Sequence, residues 1–349
     1  MDAYLAGRGI EPSLFVRQWE QPTRSLLYTL RTGPGNGDTL ALQRRPELAI
    51  SDEVVTLPAA GGKSRQLRTV SKKEILLALL QRGRIIEFAG ADCTMAALRD
   101  HVAVRQNTAA WAEQLDWQWP NGGAAHWHRK YWRNGAPRPG VALHIAVNDA
   151  FMHQDKYTLG CYTATKLVML QGVLDYYRRI KPDFRLLRQI EARLLADREP
   201  LVNVEPGRMW DFEADYDDRQ GGRPGKILNL QAGVAARNFV PGDWVHIRNT
   251  DLVSYRKTGY EGSNTIYLGR NRFSDYYNDH DRAYSYRDKL NEVFQWRNSV
   301  FNEQRDAARV HPLSARDIKR LGAVPAEGGL VPDRRIFHQL FSDGASTAP

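Results

Sequence analysis

The pattern of apolar and polar residues changes at about residue 71. Before that point, short β-type runs such as 26–30 stand between clusters of turn residues at 33–37 and 59–62. From Ser71 onward the apolar residues fall on one helical face, at Ile75, Leu76, Leu79 and Leu80. Ser71 followed by Glu74 has the spacing of a capping box, which predicts that a helix begins there.

The remainder of the chain predicts helices first and strands afterwards. Helices are predicted near 87–101, 107–116, 141–151, 162–195 with an interruption at 181–183, and 284–308. Short strands are predicted at 243–248, 264–269 and 272–277. This order indicates an α+β fold in which helices pack on an antiparallel sheet.

The same pattern divides the chain into three parts. Residues 1–70 are expected to form an N-terminal extension or a small β-leaning layer, and residues 71–310 a core. Residues 311–349 are expected to be a C-terminal extension, whose last residues, Gly344–Pro349, have the composition of a disordered tail.

Composition excludes several classes of protein. No run of 18 apolar residues is present, so we expect no membrane partner. The first residues contain an acidic side chain and no apolar segment of a secretory signal, which predicts a cytoplasmic protein, with delivery as an effector as the alternative. Two cysteines, Cys93 and Cys161, are too few for a disulfide scaffold.

The chain is basic, with a net charge of +9 and a pI of about 9.5. A basic balance favours acidic partners such as nucleic acid. The charge is spread in short clusters and no nucleic-acid motif accompanies it, so nucleic acid is not an expected partner.

Cys161 is the candidate nucleophile. It lies at the predicted start of an apolar helix, where the helix dipole and free amide N–H groups favour a thiolate and can stabilise an oxyanion. Gly160 before it allows a substrate to approach the backbone closely. The alternative is that Cys161 is a small buried apolar residue. Cys93, predicted within a helix, is expected to be structural.

Several stretches, in order, are similar to the spore-coat protein-glutamine γ-glutamyltransferases of Bacillus. The most informative are 146–149, 161–165, 242–249, 262–269 and 288–291. The resemblance covers residues 71–295. It implies a papain-like core, with a nucleophile at a helix N-terminus packed on a small antiparallel sheet.

The resemblance also implies the reaction. Cys161 would form a thioester with a glutamine side chain, and a lysine amine would capture the acyl group. The implied partners are proteins that carry glutamine and lysine side chains, and no cofactor or metal is implied.

The chain departs from that family at three positions. Gly160 stands where the family has a glutamate, Ser263 stands where it has a second glutamate, and Tyr276 stands at the position of its histidine. Other candidates for proton transfer are therefore needed. We consider Glu261, two residues before Ser263 and on the same strand face, His280, four residues after Tyr276, and His246 on the strand 243–248.

Two patterns suggest metal ligands without satisfying their requirements. His126 and His128 share a strand face but lack a third ligand. The acidic run 211–218 lacks the spacing and the glycine of an EF-hand. We expect no metal site.

Three interpretations of function stay open beside cross-linking. Water as the acceptor would give glutamine deamidation. A catalytically inactive scaffold or binding protein would explain the replaced glutamates and histidine. A cysteine peptidase or amidase would use the same nucleophile.

Overall fold

The computed structural model describes residues 1–22, 24–31, 39–81, 88, 93–120, 123–133, 135–196, 228–231, 233–257, 259–278, 283–298, 300, 312–323 and 329–337. The N-terminal part contains a short helix and two antiparallel hairpins. These are α1 (Asp2–Ala6), β1 (Phe15–Glu20) with β2 (Ser25–Leu30), and β3 (Glu53–Ala59) with β4 (Lys63–Thr69).

Five helices follow in the described part of the chain, with one small hairpin among them. They are α2 (Lys72–Leu80), α3 (Met95–Ala112), then the hairpin β5 (Trp132–Arg133) and β6 (Ala136–Pro137), α4 (Leu143–Met152), α5 (Cys161–Asp175) and α6 (Phe184–Ala196). A π-helical turn, Tyr176–Ile180, continues α5 before Pro182 prevents further helix.

A six-stranded sheet forms the C-terminal half of the described structure. Its elements in chain order are β7 (Leu228–Gln231), β8 (Trp244–Arg248), α7 (Leu252–Tyr255), β9 (Gly262–Gly269), β10 (Arg272–Ser274), β11 (Ala283–Tyr284), α8 (Tyr286–Arg297), α9 (Ala315–Leu321) and β12 (Val331–Phe337). The strand order is β11-β10-β9-β8-β12-β7, and every pairing is antiparallel. The predicted α+β class with an antiparallel sheet is confirmed.

The sheet separates two apolar cores because successive side chains of a strand point to opposite faces. On one face, Trp244 and Ile266 pack against the helical layer that contains α5. On the other face, strand residues pack against α8 and form a second apolar cluster. Its members include Val245, Ile247 and Tyr267 of the strands, and Val293 and Trp296 of α8. Strands β8 and β9 are therefore buried on both sides.

Helix α5 is buried along its whole length and approaches α3 closely. Asn107 Nδ2 donates to the Gly172 carbonyl at 2.8 Å, and Trp111 Nε1 donates to Asp175 Oδ2 at 2.9 Å. Arg179 adds an ion pair to the same carboxylate, with 2.6 Å from its Nη2 to Asp175 Oδ2. The buried carboxylate of Asp175 is thereby compensated, as burial of a charge requires.

The structure corrects two local predictions. The prediction of two separate helices, at 87–101 and 107–116, is wrong, because the structure has one helix, α3, over Met95–Ala112. Cys93 was predicted within a helix, but it is exposed and precedes the N-cap Thr94, whose side chain accepts from the Ala97 N–H. The helix predicted at 141–151, the strands near 243–248 and 264–269, and the Ser71 cap are confirmed.

Several predicted features lie outside the described residues. They are the turn at 33–37, the acidic run 211–218 and the tail Gly344–Pro349. Among the helices that the structure describes, none is both long enough and apolar enough to cross a membrane.

Glu74 has an unusual environment for a carboxyl group. It is fully buried in α2, and its Oε1 accepts from the Arg270 backbone N–H at 2.8 Å instead of reaching back to the helix cap. Burial, the largest cause, raises the pKa of Glu74 from its ordinary 4.5 to about 7, while the contact with Arg270 opposes the rise.

Substitution Gly172→Ala is expected to destabilise the protein by about 2 kcal/mol or more. A Cβ there would lie 2.0 Å from Oγ1 and 2.8 Å from Cα of Thr108, so α3 and α5 must separate. Gly322→Ala is the matched control, because its Cβ would meet nothing closer than 3.7 Å. Urea unfolding measures both. Equal free energies of unfolding for the two variants would contradict the proposed close approach.

Substitution Glu74→Gln is expected to remove part of the pH dependence of stability. Because the folded pKa is raised, the protonated carboxyl stabilises the fold fully below about pH 4.5, and this contribution is lost as the pH rises through about 7. The loss is at most about 3 kcal/mol for a shift of this size. Urea unfolding at pH 5 and pH 8 should show the wild type losing that much relative to the variant. Parallel pH profiles would contradict the prediction.

Candidate active site

Cys161 is the first residue of α5, with Gly160 as the extended N-cap. Its side chain is buried, and Sγ lies 3.8 Å from the Gly262 carbonyl oxygen, to which the thiol can donate. Asn264 Nδ2 donates to Sγ at 3.5 Å. The start of the helix therefore meets the beginning of β9, and the sulfur belongs to the first turn of a helix, at the positive end of its dipole.

Asn264 is held in turn by Trp244 on β8. The indole Nε1 of Trp244 donates to Asn264 Oδ1 at 2.9 Å. The Trp244 ring lies 5.1 Å from that of Tyr162, the residue after Cys161. An aromatic contact and a hydrogen bond thus connect both strands to the first turn of α5.

His246 lies on the same face of the sheet as Asn264. The two residues are direct cross-strand partners in the register of β8 and β9. The imidazole of His246 is buried against Gly262, so closely that a Cβ on Gly262 would come within 2.2 Å of Nε2. Cys161 Sγ and the His246 ring therefore both lie against Gly262, and a side chain at this position would displace His246 or the Ile247 carbonyl.

Tyr276 is joined to the first turn of α5 by hydrogen bonds. Its hydroxyl lies 2.8 Å from Thr165 Oγ1, which donates to the Cys161 carbonyl at 2.7 Å. Burial raises the pKa of Tyr276, and the hydrogen bonds to Ser274 and Thr165 oppose that rise. The side chain is consequently a neutral phenol at physiological pH.

Ser263 faces away from Cys161. Its hydroxyl donates to Glu292 Oε2 at 2.9 Å on the side of α8, and Lys289 Nζ reaches the same oxygen at 3.2 Å. Strand alternation puts Ser263 and Asn264 on opposite faces, so the structure does not bring Ser263 to the sulfur.

Glu261 lies in the bend just before β9. Its backbone oxygen accepts from the Asn249 N–H at 2.9 Å. Burial raises the pKa of its carboxyl group, and hydrogen bonds from the backbone of Glu261 itself and of Gly259 oppose that rise. The carboxylate is thus directed towards its own turn. His280 lies outside the described residues.

The two histidines of the tryptophan-rich segment have different surroundings. The backbone of His126 pairs with Thr158, whereas His128 Nδ1 lies 2.7 Å from Asp149 Oδ2. His153 Nδ1 lies 2.7 Å from the other oxygen of Asp149. Within the described ranges, no group of three or more histidine, cysteine, aspartate or glutamate side chains is arranged to hold a metal ion.

Asn264 and Trp244 were not among the predicted site residues. Asn264 was noted only as part of the motif 262–269, and Trp244 as a neighbour of His246 in alternation. The signal available in the sequence was that alternation, since it puts Trp244 and His246 on one face. Which face meets Cys161 depends on the packing of α5.

A family model and a solved structure both match the chain. The family model described as "Protein-glutamine gamma-glutamyltransferase" matches residues 62–282. Among solved structures, the chain is similar to a transglutaminase from Geobacillus stearothermophilus, without its C-terminal extension, at 16% identity and a TM-score of 0.38. That match covers 62% of this chain and 96% of the other. No curated protein matches the chain.

Proposed function

The chain belongs to the protein-glutamine gamma-glutamyltransferase family and is a transglutaminase-like acyltransferase, and from this premise we propose that Cys161 is its nucleophile. The observation that carries the proposal is the position of Sγ at the N-terminus of a buried helix, 3.5 Å from the amide of Asn264. Both features stabilise the thiolate over the thiol.

The reaction follows from that nucleophile. The thiolate attacks the carboxamide carbon of a protein glutamine, the C–N bond breaks, and ammonia leaves after taking up one proton, which gives a thioester. A lysine amine then attacks the thioester, loses a proton and forms an isopeptide bond, and the thiolate is released. The substrates are proteins that carry glutamine and lysine side chains.

His246 is our candidate for the group that carries the proton. An imidazole is suited to giving a proton to ammonia and taking one from the amine near neutral pH. Its support is the shared contact with Gly262 and its place beside Asn264. Tyr276 is a neutral phenol, Ser263 lies on the opposite face of the sheet, and Glu261 is directed to its own turn, so each is a weaker candidate.

The finer relationship, to the spore-coat enzymes of Bacillus with their papain-like core, is part of the same proposal. The features that support it are the cysteine at the start of α5 and the antiparallel sheet on which α5 packs. His280 stays a candidate of the sequence alone.

Substitution Cys161→Ala is expected to abolish incorporation of a fluorescent primary amine into a glutamine-rich protein. Cys93→Ala is the matched control, since Cys93 is exposed and outside the site, and it should retain full activity. Ammonia release without amine incorporation would indicate deamidation instead of transfer. Incorporation that persists in Cys161→Ala, or its absence from the wild type, would refute the proposal.

Substitution His246→Gln is expected to slow amine incorporation by about 10²- to 10⁴-fold, the contribution of a general acid–base group. His144→Gln is the control, since His144 bonds to Glu191 on another face of the helical layer, and it should stay within about threefold. Urea unfolding confirms that each variant is folded. A His246→Gln rate close to that of the control would exclude His246.

A further inference from the structure

We propose that Asn264 is a further catalytic residue, which stabilises the thiolate of Cys161, and that Trp244 is the residue that positions it. The proposal rests on Cys161 being the nucleophile. It extends that assignment by naming two consecutive hydrogen bonds, from Trp244 on β8 to Asn264 on β9, and from Asn264 to the sulfur of Cys161.

The orientation of the Asn264 amide determines its effect on sulfur. A carboxamide can present either its oxygen, an acceptor, or its nitrogen, a donor of two hydrogens. The indole N–H of Trp244 can only donate, and it lies 2.9 Å from one end of the amide. That end must be the oxygen, and the nitrogen is therefore the end that lies 3.5 Å from Cys161 Sγ.

A donor aimed at sulfur favours the charged form. A thiolate accepts an N–H hydrogen bond far better than a thiol does, so the contact lowers the free energy of the thiolate relative to the thiol. The Gly262 carbonyl, at 3.8 Å, acts in the opposite direction because it accepts from the protonated thiol. The balance between the Asn264 donor and the Gly262 acceptor thus sets the reactivity of Cys161.

Burial strengthens the Asn264 contact. Trp244 is fully buried and Asn264 is 6% exposed, so water competes little for the amide. The Trp244 ring is fixed by its contact with Tyr162 on α5, and its position is therefore set by the same helix that carries the nucleophile. If the indole hydrogen were removed, the amide could rotate and present its oxygen to the sulfur.

The test is the pH dependence of Cys161 alkylation by iodoacetamide, measured by mass spectrometry in the Cys93→Ala protein. Asn264→Asp keeps the shape of the side chain but replaces the donor with a carboxylate. We expect its alkylation rate at pH 7 to fall about tenfold or more, with the midpoint of the profile moved up by about one pH unit or more. Trp244→Phe should move the midpoint in the same direction by a smaller amount.

Two controls separate this effect from lost packing. Asn291→Asp changes an equally buried asparagine on the other face of the sheet, and Trp111→Phe removes a buried indole hydrogen bond to Asp175. Neither should move the midpoint. Near-ultraviolet circular dichroism shows whether Asn264→Asp folds. If it does not, Asn264→Ala is tested in its place, and the midpoint of its alkylation profile is expected to move in the same direction.

An unchanged midpoint in a folded Asn264 variant would overturn the proposal, and an unchanged midpoint in Trp244→Phe alone would overturn the role of Trp244. Alkylation does not require turnover. A wild type that incorporates amines through Cys161 while the Asn264 variants alkylate normally would therefore refute this proposal and leave the nucleophile in place. An unaltered transferase rate in Cys161→Ala would instead refute the nucleophile.

Discussion

The complete burial of helix α5 is the constraint on which the rest of the structure depends. A helix that is buried on all sides cannot leave polar groups without hydrogen-bond or ion-pair partners. Residues of neighbouring elements must therefore supply those partners at both of its ends. At its C-terminal end, Trp111 and Arg179 hold the carboxylate of Asp175. At its N-terminal end, Cys161 lies next to the strand β9, where Asn264 donates to its sulfur. One helix thus has a structural ion pair at its C-terminal end and the proposed nucleophile at its N-terminal end.

The same constraint bears on the three neutral residues at which the sequence departs from the spore-coat enzymes that it resembles. Gly160, Ser263 and Tyr276 carry no charge at neutral pH, so none of them costs the desolvation free energy of a buried ion. Tyr276 instead keeps a structural role, since it holds Thr165 and through it the first turn of α5. In the proposed assignment the ionisable group lies on β8, where the His246 ring is packed against Gly262.

The sequence predicted the elements that depend on local pattern and missed those that depend on tertiary pairing. Alternation and helical spacing identified β8, β9, α4 and the start of α5, because these residues carry their own periodic signal. The strand β12 was not predicted, since Pro332 within it argues locally against a strand, yet it pairs with β8 and β7 inside the sheet. The sequence also could not predict which face of β9 lies towards Cys161. Alternation separates Ser263 from Asn264, but only the position of α5 decides which of them meets Cys161.

In the proposed reaction, the burial of Cys161 has a consequence for the acceptor of the acyl group. Cys161 is 9% exposed, and a thioester formed there would be largely shielded from water. Shielding slows hydrolysis, and it strengthens every hydrogen bond that acts on the sulfur. It also selects the substrates by shape. Glutamine and lysine each carry the reactive atom at the end of a slender, unbranched chain, which can reach a buried sulfur while the rest of the substrate protein stays outside. In the proposed reaction, exclusion of water from Cys161 therefore favours transfer to an amine over hydrolysis, and the same exclusion strengthens the hydrogen bond from Asn264.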